Sequence, residues 1–385
     1  MRSFKLNAEE IYQRAARESG LAEYSDPAIE ERFSHLMSLF NDFGSIPEQF
    51  YPAAVAQIET VVVKRLKVAR DWRLFPEILE QEIKQPLFVV GNPRAGTTFT
   101  QSILALDDGA RTPHVRDVQH PSPPRGLDPA ADAAALAEQD AYVDYILAKS
   151  PQLLQTHPYF DQRGEMEAED EYTYSLDFDL LYLYWFLHVP TVCLPPAPRD
   201  PVVALQFFKN MLKQYQWKTP TKRWVGKGVI HHYIMPAMLE VFPDAVHFWI
   251  HRPPEEYIGS LLAHLEPQFA PFNEGLYRLD HGAMVEQIKA GVDYILKSPA
   301  TYDSRIHHIR FKDFVVNPAA VIAPIYEERG IPFTNSFAQR IKDRMNDPKH
   351  RADRYGKFTY SIEKFGLDRP TLRKMFAEYC DRFEI

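Results

Sequence analysis

The stretch PLFVVGN (Pro86 to Asn92) is a run of apolar and β-branched residues that stops at a glycine, and Pro93, Arg94, Ala95, Gly96, Thr97 and Thr98 follow at once. Beyond them Phe99, Ile103 and Leu106 recur at helical spacing, so the segment reads as strand, glycine loop, helix. Gly91 and Gly96 are five apart, as in the phosphate-binding loop G-x-x-x-x-G-K-[ST], which also lies between a strand and a helix. Backbone N–H groups at such a helix start, backed by the helix dipole, cradle phosphate-like oxygens. Thr97 stands where that motif carries its lysine, so the ammonium that grips the outer phosphates of a nucleoside triphosphate is missing. The cation has moved inside the loop as Arg94, and the hydroxyls of Thr97 and Thr98 come after it. The strand Val246 to Ile250 ends in His251-Arg252 rather than in an acid that would hold magnesium. An anionic donor handled without a metal is the expectation.

The strand-turn-helix theme recurs. RWVGKGVIHH (Arg223 to His232) reads as a short strand and turn before a helix bearing Ile234, Met238 and Val241. In AVHFWIHRPPEEYIGSLLAHL the strand Val246 to Ile250 precedes Pro253-Pro254 and an apolar helical stripe of Tyr257, Ile258, Leu261, Leu262 and Leu265. A further unit runs from His307 to Phe311 and then through Asn317-Pro318, a cap and first turn, into a helix that Pro324 should kink. Such alternation predicts an α/β fold, a P-loop-type, mostly parallel central sheet flanked by helices. Residues 1–64 read as a helical N-terminal extension without chemistry, and residues 65–385 as the working domain. The proline-rich HPSPPRGLDP (His120 to Pro129) reads as a loop over the site, followed by a helix near Ala130 to Ser150. An acidic segment, Glu165 to Glu171, and an aromatic one, Tyr172 to Trp185, come next.

Composition narrows the partners. In 385 residues, 52 acidic against 44 basic side chains leave a net charge of −8 without a long basic run, which argues against a nucleic-acid or membrane-surface coat. The two cysteines, Cys193 and Cys380, make neither a disulfide scaffold nor a paired zinc site, so a reducing, cytoplasmic setting is expected. The longest apolar stretch, Leu180 to Leu194, contains His188 and Pro190 and is short of the ~20 residues of a membrane span. A small molecule is the expected partner; oligomeric state, a homo-oligomer included, stays open.

The loop and the later Arg resemble those of sulfotransferases that use 3′-phosphoadenosine 5′-phosphosulfate (PAPS). The family's P-R/K-x-G-T-T, which binds the 5′-phosphosulfate, is matched by Pro93, Arg94, Gly96, Thr97 and Thr98, with Ala95 at the variable place. Its second motif, an Arg after a core strand and a Ser eight residues on that hold the 3′-phosphate, is matched by Arg252 and Ser260. The likeness is greatest to the bacterial branch with PRSGTT, LKSPxH and HRDP-type motifs. Lys227 and His231 in VGKGVIH fall on that branch's Lys and His, with Gly228-Val229 replacing its Ser-Pro; FPDA, IRFKDFVVNP and FTYSIEKFGLD extend the similarity from about Arg65 to the C-terminus. Arg354, Gly356 and Lys357 stand for the family's late basic-glycine segment at the 3′-phosphate.

The resemblance implies transfer of a sulfuryl group from PAPS to a hydroxyl, with release of adenosine 3′,5′-bisphosphate. In that role Arg94 stabilises the bridging oxygen of the leaving nucleotide, since a guanidinium stays charged and grips oxyanions in a fork, and Lys227 lies near the transferred group. Thr97 and Thr98 serve as helix cap and oxyanion ligand by the same geometry. The proton acceptor is open among His120, Glu171 and His231. The aromatics Tyr172, Tyr174, Phe178, Tyr182, Tyr184, Trp185 and Phe186 suit a phenolic, steroid-like or lipid alcohol, and equally a packed core. Rival readings are a P-loop kinase or NTPase and a non-catalytic nucleotide-binding protein.

Overall fold

Three helices open the chain in the computed structural model, which describes residues 3–43, 46–48, 51–179, 200–273 and 280–385. They are Ala8–Glu18, capped by the Asn7 carboxamide on the Glu10 N–H, then Pro27–Phe43 and Tyr51–Leu74. Apolar residues at helical spacing (Ile11, Phe33, Met37, Ile58, Val62, Leu66) pack into a core of their own, closed by Phe178 from the main body. A two-residue antiparallel pair, β1 (Ser3–Phe4) with β2 (Ile46–Pro47), accompanies them; elements that short leave no pattern in a sequence. The last helix runs through residue 64 without a break, so the expected boundary falls inside it. Arg65 from this helix and Arg32 from the one before both reach the Asp177 carboxylate (2.7 and 2.9 Å), which is 2% exposed.

The main sheet has five strands, β3 (Leu87–Val90), β4 (Ala110–Arg111), β5 (Arg223–Gly228), β6 (Val246–His251) and β7 (Ile306–Arg310). Their spatial order is β4-β5-β3-β6-β7 and every pairing is parallel. Side chains alternate between faces: Phe88, Val90 and Trp249 join one core, while Leu87, Val89, Phe248 and Ile250 join the other. Both faces are covered, which is why β3 reads as an unbroken apolar run and every residue of β6 is buried, its two histidines His247 and His251 included.

Helices follow the strands as the alternation foretold. Thr97–Leu104 comes after β3, Met235–Val241 after β5, Pro254–Asn273 after β6, and Phe311–Val316 with Pro318–Glu328 after β7. Asn317 caps the last of these, which contains Pro324. The helix expected near Ala130 to Ser150 is Pro129–Lys149. Because β3 lies between β5 and β6, the chain leaves it on both sides, and the carboxyl ends of these strands bound the crevice where open α/β sheets take ligands. Among the described residues no helix is long and apolar enough to cross a membrane.

Candidate active site

Two glycines make the loop after β3 possible. Gly91 has φ +151°, and a Cβ there would lie 2.7 Å from the Ile250 carbonyl of the neighbouring strand. Gly96 has φ +105°, and a Cβ there would land in the ring of Phe311, at the end of β7. Between them Arg94 adopts a left-handed conformation, φ +67°. Its Nε donates to the Ser260 hydroxyl (3.1 Å) and its Nη2 to the Thr156 carbonyl (2.6 Å). Arg252, just past β6, donates from Nη1 to the Arg94 carbonyl (3.2 Å), pairs through Nε with Glu256 (2.9 Å) and lies over Phe311 (5.3 Å to the ring centroid). Burial, and then the nearby Arg252 charge, pushes Arg94 down to about 10. Two guanidiniums held together with so little counter-charge make a site that is completed by an anion.

Both arginines face one cavity of about 1170 Å³. Of the residues singled out in the sequence, Arg94, Gly96, Thr97, Thr98, Glu171, Lys227, Arg252 and Lys357 line it. Lys227, in β5, is 1% exposed; its ammonium meets the Glu169 carboxylate and the Thr98 hydroxyl (3.3 Å). Glu171 opens the helix Glu171–Leu176. Its Oε1 accepts the Ile230 N–H (2.8 Å), while its buried Oε2 has no hydrogen-bond partner. Burial first, and then Glu169 and Asp170, hold this carboxyl well above the usual carboxylate range.

The other candidates sit elsewhere. Ser260 does not line the cavity but steadies Arg94. Ala95 is buried, and its N–H is spent on the Asn92 carbonyl (3.0 Å). Arg354 is turned away, held by Asp161 (2.8 and 3.0 Å) and the Pro158 carbonyl (2.8 Å), and Gly356, at φ +96°, lies outside the lining. His231 is fully buried behind Gly228, edge-on to Phe88 and bonded to the Tyr174 hydroxyl (2.9 Å). It is a core histidine kept neutral by desolvation. His120 ends the helix Val115–Gln119, 3.8 Å from the Glu138 carboxylate, and does not reach the cavity. The proline-rich loop behind it does not line the cavity either. It is bound to the helix Pro201–Gln216, where Gln214 Nε2 donates to the Pro121 carbonyl (2.6 Å).

Several groups that the motifs did not single out line the cavity. Glu167 and Glu169 flank it with Glu171, every second residue of the acidic segment; that alternation was a visible signal for an extended run with one acidic face. His157 and His264 stack 5.9 Å apart beside Arg94, and burial, followed by the Arg94 and Lys227 charges, lowers His157 to about 3. Arg344, from the helix Asn335–Asn346, and Arg351, just after the turn Pro348–His350, also line the cavity. The remaining wall is apolar and aromatic, including Tyr172, Tyr233, Leu261, Met284 and Ile288. Among the expected pocket aromatics Tyr172 lines it, Tyr174 and Phe178 are core, and Tyr182, Tyr184, Trp185 and Phe186 lie outside the described residues. No group of three or more His, Cys, Asp or Glu among the described residues is placed to hold a metal ion.

Fold and cavity together define a P-loop-like α/β protein shaped to take an anionic ligand at the carboxyl edge of its sheet. A profile of the Sulfotransferase family matches residues 86–335, and the chain belongs to that family and is a sulfotransferase. The omega-hydroxy-beta-dihydromenaquinone-9 sulfotransferase Stf3 of Mycobacterium bovis is 21% identical over 322 residues, 77% of this chain and 74% of that protein. The crystal structure of sulfotransferase STF9 from Mycobacterium avium matches with a TM-score of 0.78 and 25% identity, covering 98% of this chain and 97% of that one. That of STF1 from Mycobacterium tuberculosis matches at 0.76 and 19% identity, covering 98% and 100%.

Proposed function

We propose that the protein transfers a sulfuryl group from PAPS to a hydroxyl of a large, mainly hydrophobic acceptor and releases adenosine 3′,5′-bisphosphate. The observation that carries this is the convergence of Arg94 and Arg252 on one cavity, joined through the Arg94 carbonyl, so that one multiply charged nucleotide can meet both. The loop N–H groups, the Thr97 and Thr98 hydroxyls and Arg94 take the phosphosulfate end, with Arg94 on the bridging oxygen; Arg252, with Ser260 behind Arg94, takes the 3′-phosphate end. Catalysis is then chiefly positioning and cationic stabilisation of spread negative charge. The apolar wall and the volume of the cavity favour a phenolic, steroid-like or lipid alcohol, and the name of the relative Stf3, an omega-hydroxy menaquinone sulfotransferase, agrees with the last.

Of the three proton-acceptor candidates only Glu171 lines the cavity, where burial favours its protonated form. It serves as a hydrogen-bond donor, through Oε2, to the oxygens of the transferring group rather than as the base. The test of the donor is calorimetry with adenosine 3′,5′-bisphosphate: the wild type binds it, and Arg252→Ala weakens it by roughly ten- to a hundredfold, the worth of a charge-assisted contact of about 1.5–3 kcal/mol. A ligand lacking the 3′-phosphate should be much less affected. A wild type that does not bind the nucleotide overturns the reading. Transfer of radiolabelled sulfate to a panel of phenols, sterols and long-chain alcohols identifies the acceptor.

A further inference from the structure

Lys227 and Glu169 form an ion pair that the motifs do not explain, at the point where the anionic donor would enter. The lysine side chain is 2% exposed, whereas that of Glu169 is 26% exposed and lines the cavity. The Lys227 ammonium also touches the Thr98 hydroxyl (3.3 Å), in the first turn of the helix whose N-terminus faces the loop. A buried ammonium requires a counter-charge. Without ligand, Glu169 supplies it. An oxyanion seated on the first turn would offer the same ammonium a second partner, and the two anions would compete.

We infer that Glu169 occupies Lys227 until the donor binds, and that the carboxylate released when Lys227 turns to the donor takes the proton from the acceptor hydroxyl. The inference rests on the PAPS reading above. In the step, the acceptor O–H bond breaks and its proton passes to a Glu169 oxygen. The acceptor oxygen bonds to sulfur. The bond from sulfur to the bridging oxygen breaks, and its electron pair stays on the departing phosphate. Glu167 and Glu171 line the same wall, but it is Glu169 that is paired with Lys227, and burial raises the other two carboxyls above the usual carboxylate range. His157 lies beside Arg94, and desolvation first, then the Arg94 and Lys227 charges, opposes its taking up a proton. The arrangement orders the reaction, because the base is uncovered only when the donor is in place.

The test is Glu169→Gln, with PAPS binding measured by calorimetry in the absence of acceptor and turnover measured separately. Removing the internal competitor should tighten PAPS at least tenfold, while loss of the base should lower kcat at least a hundredfold. A general structural defect would weaken both. Adding Lys227→Met should abolish the tightening, and Glu169→Asp, which keeps a carboxylate, should return affinity and part of the turnover towards wild type. PAPS affinity that is unchanged or weaker in Glu169→Gln, or turnover within tenfold of wild type, overturns the inference. Wild-type protein that binds neither PAPS nor adenosine 3′,5′-bisphosphate overturns the donor reading itself, a result distinct from normal binding with an unmoved variant.

Discussion

Single side chains in the cavity carry charge states that burial and neighbours have set apart. Glu171 is raised by desolvation first and by Glu169 and Asp170 second, which extends its protonated form to higher pH than an ordinary carboxyl until the rising pH ionises it. An ionised Glu171 loses its proton for donation and adds a negative charge beside an anionic donor, so kcat/KM should fall on the alkaline side. Glu171→Gln retains an N–H donor and cannot ionise. Its turnover should stay within about tenfold of wild type and its pH–rate profile should lose the alkaline fall; a loss of a hundredfold or more would instead make Glu171 the base. The sequence indicated that an acid of this segment matters, but its protonation depends first on burial, which a linear pattern does not record.

At the scale of elements, the loop between β3 and the helix Thr97–Leu104 was the most legible part of the chain, because its geometry depends on residues that are neighbours in sequence. What holds it in place is not local. Phe311, two strands away at the end of β7, packs where a side chain at Gly96 would go, and supports Arg252 from the same ring. Gly96→Ala therefore combines a strained φ of +105° with a collision, and should cost the protein most of its affinity for adenosine 3′,5′-bisphosphate, more than tenfold by calorimetry, together with several degrees in Tm. The late basic segment shows the opposite case. Three of its residues read alike in sequence, yet Lys357 lines the cavity while Arg354 is taken by Asp161, nearly two hundred residues earlier, and Gly356 only shapes the turn. A basic residue in a loop finds its partner through space.

For the molecule as a whole, buried ionisable groups fix how stability follows pH. His157, His232 and His247 are pushed down to about 3, and His231, His251 and His264 lie well below their ordinary value, all chiefly by desolvation. The unfolded chain takes up protons on these groups below about 6.5, so their contribution rises with pH and is complete above that point. Asp170, sealed under Gly226 in β5, is raised from 3.8 to about 8. The folded state keeps this proton after the unfolded state has lost it, so stability falls as pH rises from about 4 to about 8. Above pH 6.5 only the second effect remains of the two. Tm should therefore decline from pH 6.5 to 8, and Asp170→Asn should flatten that decline; a Tm that rises over this interval would contradict the burial of Asp170 as a neutral acid. Before any folding was considered, the chain disclosed its α/β class, its parallel strands and the residues of its phosphate-type loop, since strand, turn and helix periodicities are written in consecutive residues. The tertiary structure alone decided that His231 is buried behind Gly228 and away from the cavity, that His120 stays outside the cavity, and that Glu169 faces Lys227 at its edge. Charge pairing and desolvation are properties of groups brought together from distant segments, and only the closed fold brings them together.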